Sequence, residues 1–182
     1  MKMITSVFMK ESRYRKINIK DKIVKNKRIL LVILIVIIAI SIDQVVKILV
    51  LNNIYNSKVI VLDGILNLTY VENTGGAFGI GNDSTIMFVI VNVVIIAIIV
   101  KFIMSKKDEI STYISVSLAL ILSGGIGNLI DRLFRGFVID YIDINPVIKY
   151  PMFNIADICV VTGCIIIIGS LIISTLKTRR AK

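Results

Sequence analysis

The chain has 182 residues, 56% of them hydrophobic and 19% charged, with 22 Lys and Arg against 12 Asp and Glu for a formal net charge of +10. A soluble domain is nearer half apolar and a quarter charged, so this balance excludes an ordinary soluble globule and points to a membrane protein. The absence of His removes Ser-His-Asp and Cys-His catalysis, His-ligated zinc and imidazole proton relays together.

Residues 1–28 carry ten of the basic side chains, from Lys2 to Arg28. Such an arm reads as a cytoplasmic topology signal that also touches anionic membrane lipid, in preference to a nucleic-acid tail. Four apolar stretches follow that are each long enough to cross a bilayer: 29–51, 84–104, 111–130 and 155–176. The first continues past the length of a signal-peptide apolar core and lacks a small-residue cleavage site, so it is expected to stay in the protein. The arm, the 101–107 connection and the tail 177–182 hold 17 of the 22 basic residues, which predicts both termini on the cytoplasmic side. The expected fold is therefore an all-α membrane domain over 29–176 with four transmembrane helices and a small β element outside.

Two loops face outward, 52–83 and 131–154. In the first, Lys58 to Leu62 and Ile65 to Val71 flank Asp63-Gly64, the pattern of a β-hairpin resting on the membrane surface. The second carries Pro146, Pro151 and the run Phe137 to Asp143, which reads as extended chain. Cys159 and Cys164 lie five apart in one apolar run, where a helix points them in different directions, and they argue for neither a disulfide nor a metal site. No metal or cofactor is expected.

Polar residues converge on the outward face. Asp43 sits about fourteen residues, or ~21 Å, into the first helix, with Lys47 one turn on, and an ion pair lowers the cost of both charges. The third helix ends in Ser123-Gly-Gly-Ile-Gly-Asn-Leu-Ile-Asp-Arg132, whose Gly124, Gly125 and Gly127 suit close helix packing. Asn128, Asp131 and Arg132 fall on one face; Asp131 with Arg132 reads as a structural ion pair or as a group that orients substrate. Asn154 and Asp157 fit the N-cap and third position of the last helix, so capping alone explains them, yet an ionisable group opening a membrane helix is also a functional candidate. Asp140 lies seventeen residues before Asp157, close enough for the chain to fold back. Two carboxylates without His suggest a dyad sharing one proton, one member activating water while the other polarises a carbonyl. Two simply solvated acids, or a small transporter built on Asp43 and Lys47, are the alternatives.

The order Asp43-Gln-x-x-Lys47, Glu72-Asn73-Thr-Gly75-Gly-Ala77-Phe78-Gly79, Gly124-Gly-x-Gly127-Asn128-Leu-Ile-Asp131-Arg132, Val138-x-Asp140 and Phe153-Asn154-x-Ala156-Asp157 resembles the lipoprotein signal peptidases, or signal peptidase II, from about residue 30 to residue 176. The resemblance implies an aspartic endopeptidase of the bacterial cytoplasmic membrane, working at its outer face. Such an enzyme cuts prolipoproteins just before a Cys that carries a diacylglyceryl group. It implies Asp140 and Asp157 as the catalytic pair, with Asn128, Asp131, Arg132, Asn154 and Ala156 supporting the site. Asn73, Gly75 and Phe78 would belong to the substrate-binding outer loop, Asp43 and Lys47 would be structural, and the first outer loop would form a β-cradle. Lipidated precursors and membrane lipids are the expected partners of a monomer, with no nucleic acid. Gly76 stands where the family often has Ala, and Tyr141 where Phe is common. Val161-Thr-Gly-Cys164 looks like a lipobox but lies inside the last helix.

Overall fold

The computed structural model describes residues 2–76, 84–106 and 110–180, with side chains from residue 27 onward except that of Arg180. The elements run α1 (Lys2–Ile54), β1 (Lys58–Leu62), β2 (Leu66–Asn73), α2 (Thr85–Lys106), α3 (Thr112–Arg135), β3 (Val138–Asp143) and α4 (Ile155–Arg180). Among the described residues four helical stretches are long and apolar enough to cross a membrane: Lys27–Ile54, Thr85–Lys106, Thr112–Arg135 and Ile155–Arg179. In lipid a helix satisfies its own backbone and has no need to bury its apolar side chains, which is why α1, α2 and α4 leave most of theirs exposed.

The bundle is organised by α3, which packs against each of the other three helices and has the largest buried share. Its small residues let α4 come close. A Cβ on Gly124 would lie 2.2 Å from the Ala156 carbonyl oxygen, and one on Gly163 of α4 would lie 2.6 Å from the Ser117 carbonyl oxygen. The expectation that these glycines serve helix contact is therefore met by backbone approaching backbone. Gly125 faces the other way, where Asn92 Nδ2 of α2 donates to its carbonyl at 2.9 Å.

The three strands form one antiparallel sheet in the order β1-β2-β3. Gly64 at φ +67° makes the turn of the expected hairpin. What pattern reading left as a lone extended segment becomes the third strand: β3 pairs with β2, Val71 opposite Asp140 and Asn73 opposite Val138. Ile139 and Tyr141 of β3 then pack on Val50 and Ile54 at the end of α1, clamping the sheet to the bundle.

Helix ends differ from the apolar limits. The third helix runs five residues past the expected 130, to Arg135, where Gly136 at φ +85° stops it and its N–H bonds back to the Arg132 carbonyl. Asp131 and Arg132 thus belong to helix and not to the outer loop, because a helix ends where its cap stands, even beyond the last apolar residue.

Candidate active site

The site forms where the C-terminal ends of α1 and α3 and the N-terminal end of α4 meet the β2–β3 pair. Its floor is built by α1 and α3. Lys47 is fully buried, with Nζ 2.9 Å from Asp43 Oδ2 and 2.8 Å from Asp131 Oδ2. The ammonium has three protons, and Asn128 Oδ1 takes the third at 2.9 Å. Asp131 also pairs with Arg135 and accepts from the Ile139 N–H at 3.2 Å, tying β3 to α3. Asp43 Oδ1 accepts from the Ala156 N–H at 3.0 Å, satisfying one of the free amides at the start of α4.

The expected Asp43–Lys47 pair is thus present inside a larger knot. The pairing of Asp131 with Arg132 is not: Asp131 finds Lys47 and Arg135. Adjacent residues on a helix diverge, whereas residues four apart share a face. Arg132 instead donates through Nη2 to the Gly75 carbonyl at 2.8 Å and lies 5.3 Å from the Phe88 ring centre of α2. Among the described residues its buried Nε has no hydrogen-bond partner.

Above the knot a cavity of about 230 Å³ opens, lined by Asp140 and Asp157 together with Asn73, Asn128 and Arg132, and walled by apolar residues such as Val160 and Phe153. Asp157 and Asn154 form a reciprocal cap at the start of α4: Asn154 N–H donates to Asp157 Oδ2 at 3.1 Å, and Asp157 N–H donates to Asn154 Oδ1 at 3.0 Å. Capping and cavity lining coexist, since Asp157 Oδ1 turns to the site and accepts from Asn128 Nδ2 at 2.8 Å. Asp140 leaves β3 on the same face as Asn73, which stands two residues beyond Asp140's cross-strand partner Val71. Its two oxygens accept from Asn73 Nδ2 at 2.8 Å and Asn154 Nδ2 at 2.7 Å. Burial pushes the Asp140 carboxyl up from 3.8 to about 6, with the negative charge of Asp157 adding to the rise and the two asparagine donors opposing it.

Gly75 adds a brace: its N–H donates to Asn73 Oδ1 at 3.0 Å while its carbonyl holds Arg132. Ala156 is buried, its carbonyl against Gly124 and its Cβ facing Gly127. Phe78 lies outside the described residues. Among the described residues no group of three or more Cys, Asp or Glu is placed to hold a metal ion. Two contributors were not singled out from sequence. Gln44 Nε2 donates to the Gly127 carbonyl at 3.1 Å and lies 3.2 Å from Asp131 Oδ1, and Arg135 pairs with Asp131. The i,i+4 spacing of Asp131 and Arg135 was the available signal for the latter.

A family model described as Signal peptidase (SPase) II matches residues 35–173, which takes in every one of these side chains. The chain belongs to the signal peptidase II family. Members of this peptidase family remove signal peptides from prolipoproteins. The lipoprotein signal peptidase of Clostridioides difficile is 40% identical over 137 residues, covering 75% of this chain and 90% of its own. That of Halothermothrix orenii is 38% identical over 139 residues, covering 76% and 92%. A solved bacterial membrane enzyme superposes with a TM-score of 0.72 at 32% identity over 79% of this chain and 88% of its own. With four helices apolar and long enough to span a membrane and a fold shared with a bacterial membrane enzyme, the chain is a multi-pass membrane protein.

Proposed function

We propose that this signal peptidase II is an aspartic endopeptidase in which Asp140 and Asp157 act on one water and one scissile carbonyl. The observation that carries the reading is the environment of the pair. Both carboxylates line one cavity, every one of their four oxygens meets an N–H donor from Asn73, Asn128 or Asn154, and among the described residues neither has a cation within ion-pair distance. Two neighbouring carboxylates in such a pocket share a proton more readily than they carry two charges. The ionised member takes a proton from water as it attacks the carbonyl carbon, and the protonated member donates to the developing oxyanion. On collapse of the tetrahedral intermediate the leaving amine is protonated by the pair, which returns to its single-proton state.

The substrate is a prolipoprotein cut just before a diacylglyceryl-modified Cys. Placement of the cavity at one end of the apolar helices, with Val160 and Val161 in its wall, supports a scissile bond held at the membrane boundary by acyl chains in lipid. The basic arm and tail support cytoplasmic termini, which puts the cavity at the outer leaflet of the bacterial plasma membrane. A single chain supplies all the residues of the pair and its donors, in keeping with a monomer.

The test is cleavage of a diacylglyceryl-modified prolipoprotein by purified protein in detergent, comparing the unaltered chain with Asp140→Asn and Asp157→Asn. Each variant is expected to stay folded and to lose turnover by about 10⁴-fold, the scale seen when one member of a catalytic set is removed. The unmodified precursor is expected to be cut far more slowly than the lipidated one. Substantial turnover by either Asn variant would remove the dyad from the mechanism, and equal rates on both precursors would remove the lipid from recognition.

A further inference from the structure

A primary amide works as a donor toward a carboxylate only if its own oxygen is turned away, and each of the three asparagines around the pair has a group that forces this. Asn154 Oδ1 accepts from the Asp157 backbone N–H at 3.0 Å, so its Nδ2 must face Asp140. Asn73 Oδ1 accepts from the Gly75 N–H at 3.0 Å, so its Nδ2 must face Asp140 from the other side. Asn128 Oδ1 accepts from Lys47 Nζ at 2.9 Å, which can only donate, and at 3.2 Å from Asn154 Nδ2, which is shared with Asp140 and the Ile139 carbonyl. Asn128 Nδ2 donates to Asp157 Oδ1 at 2.8 Å. Two of the three asparagines are locked by backbone amides, which only proline would remove. The third is held by side chains, most closely by Lys47.

We propose, building on the assignment of Asp140 and Asp157 as the catalytic pair, that Lys47 is a positioning residue of the reaction: its ammonium holds Asn128 Oδ1 and thereby turns the Asn128 NH₂ onto Asp157. Lys47 is not among the residues that line the cavity, and neither Asp140 nor Asp157 is among its ion-pair partners in the described residues. It is fully buried, and its remaining two protons are taken by Asp43 and Asp131, so its direction is fixed from α1 and α3 alike. Without it, Asn128 Oδ1 keeps only the longer contact from the shared Asn154 Nδ2, and the amide is freer to flip, which sets an oxygen against the Asp157 carboxylate. The Asp43–Lys47 pair therefore carries more than the cost-lowering role that its spacing indicates: it transmits a defined polarity from the bundle floor to one catalytic oxygen.

Removing Lys47 alone leaves buried Asp43 without its cation, so the test uses Lys47→Met with Asp43→Asn, which leaves Asp131 balanced against Arg135. This double variant, Asn128→Ala and their combination are assayed on the lipidated precursor, with thermal unfolding of each followed in the same detergent. If Lys47 acts through Asn128, the double variant lowers kcat about 10- to 100-fold, the scale of a charge-assisted hydrogen bond, with KM little changed. Added to Asn128→Ala it then lowers kcat no further, a coupling that two independent structural defects do not produce. Effects that multiply in full, or a double variant that is folded and fully active, would overturn the proposal. Should the double variant not fold, Lys47→Gln, whose shorter amide keeps a neutral donor in the knot, is run through the same cycle with Asn128→Ala. The Asp140→Asn and Asp157→Asn controls separate the two claims: their loss of turnover combined with a multiplicative cycle sinks only the role of Lys47, whereas their retained turnover sinks the pair itself.

Discussion

Four aspartates, Asp43, Asp131, Asp140 and Asp157, gather where the helices meet the sheet, and they fall into two kinds of surroundings. Asp43 and Asp131 lie in a dry knot with Lys47 and Arg135, where two carboxylates meet two cations. Asp140 and Asp157 lie directly above in a cavity, and their oxygens are met by neutral amides. The same side chain thus serves two ends. Ion pairs with Lys47 and Arg135 make Asp43 and Asp131 struts, whereas Asp140 is buried among neutral donors and its carboxyl is raised to about 6. In the proposed mechanism the struts hold in place the pair that trades a proton.

The comparison is broken most severely by removing a strut. Asp131→Ala leaves Lys47 and Arg135 short of their shared acceptor and frees the Ile139 N–H, and it is expected to cost about 3–5 kcal/mol, read as a drop in unfolding temperature with activity lost alongside. An unfolding temperature within a degree or two of the unaltered chain would show that the knot is not what holds β3 to α3.

A pH series sharpens the other half. The Asp140 carboxyl is raised in the folded chain from 3.8 to about 6, so between those values the folded state binds more protons than the unfolded one and stability falls as pH rises. Its contribution is complete below pH 3.8 and gone above about 6, a difference on the order of 3 kcal/mol at most. Relative to Asp140→Asn, which cannot titrate there, the unaltered chain should therefore lose ground in unfolding temperature between pH 4 and pH 7. A gap that stays flat with pH would mean that the Asp140 carboxyl is not raised in the folded chain.

The smallest effect comes from pressing on the knot from behind. A Cβ at Gly127 would stand 2.8 Å from Asp43 Oδ2 and 3.3 Å from the Ala156 Cβ. Gly127→Ala is expected to cost about 1–3 kcal/mol as the carboxylate and the start of α4 shift. Because Asp43 holds the Ala156 N–H, turnover should fall more than stability alone explains. Turnover that tracks the folded fraction would uncouple the knot from the cleft.

Much of this was legible beforehand because the bilayer makes simple demands. Stretches of twenty apolar residues must be helices, and Gly124 and Gly127 announce close packing. Asn154-x-x-Asp157 signals a helix start, and the two β-branched runs around Asp63-Gly64 signal a hairpin. Asp140 and Asp157 were also identifiable, by elimination of His chemistry and by resemblance. The reading went astray where local pattern gives no ranking: Asp131 has two neighbouring arginines, and only the helix, continued to its Gly136 cap, selects Arg135 over Arg132.

What the sequence determined by itself is the set of chemical groups and the elements that carry them, because periodicity, caps and hydropathy act over a few residues. Only tertiary structure decided which amide faces which oxygen. Asn73 reaches Asp140 across 67 residues through the β2–β3 register, and Lys47 reaches Asn128 across 81 through the packing of α1 on α3. The polarity of the cleft depends on those long-range contacts, and a hydrogen bond has a direction that no spacing along the chain encodes.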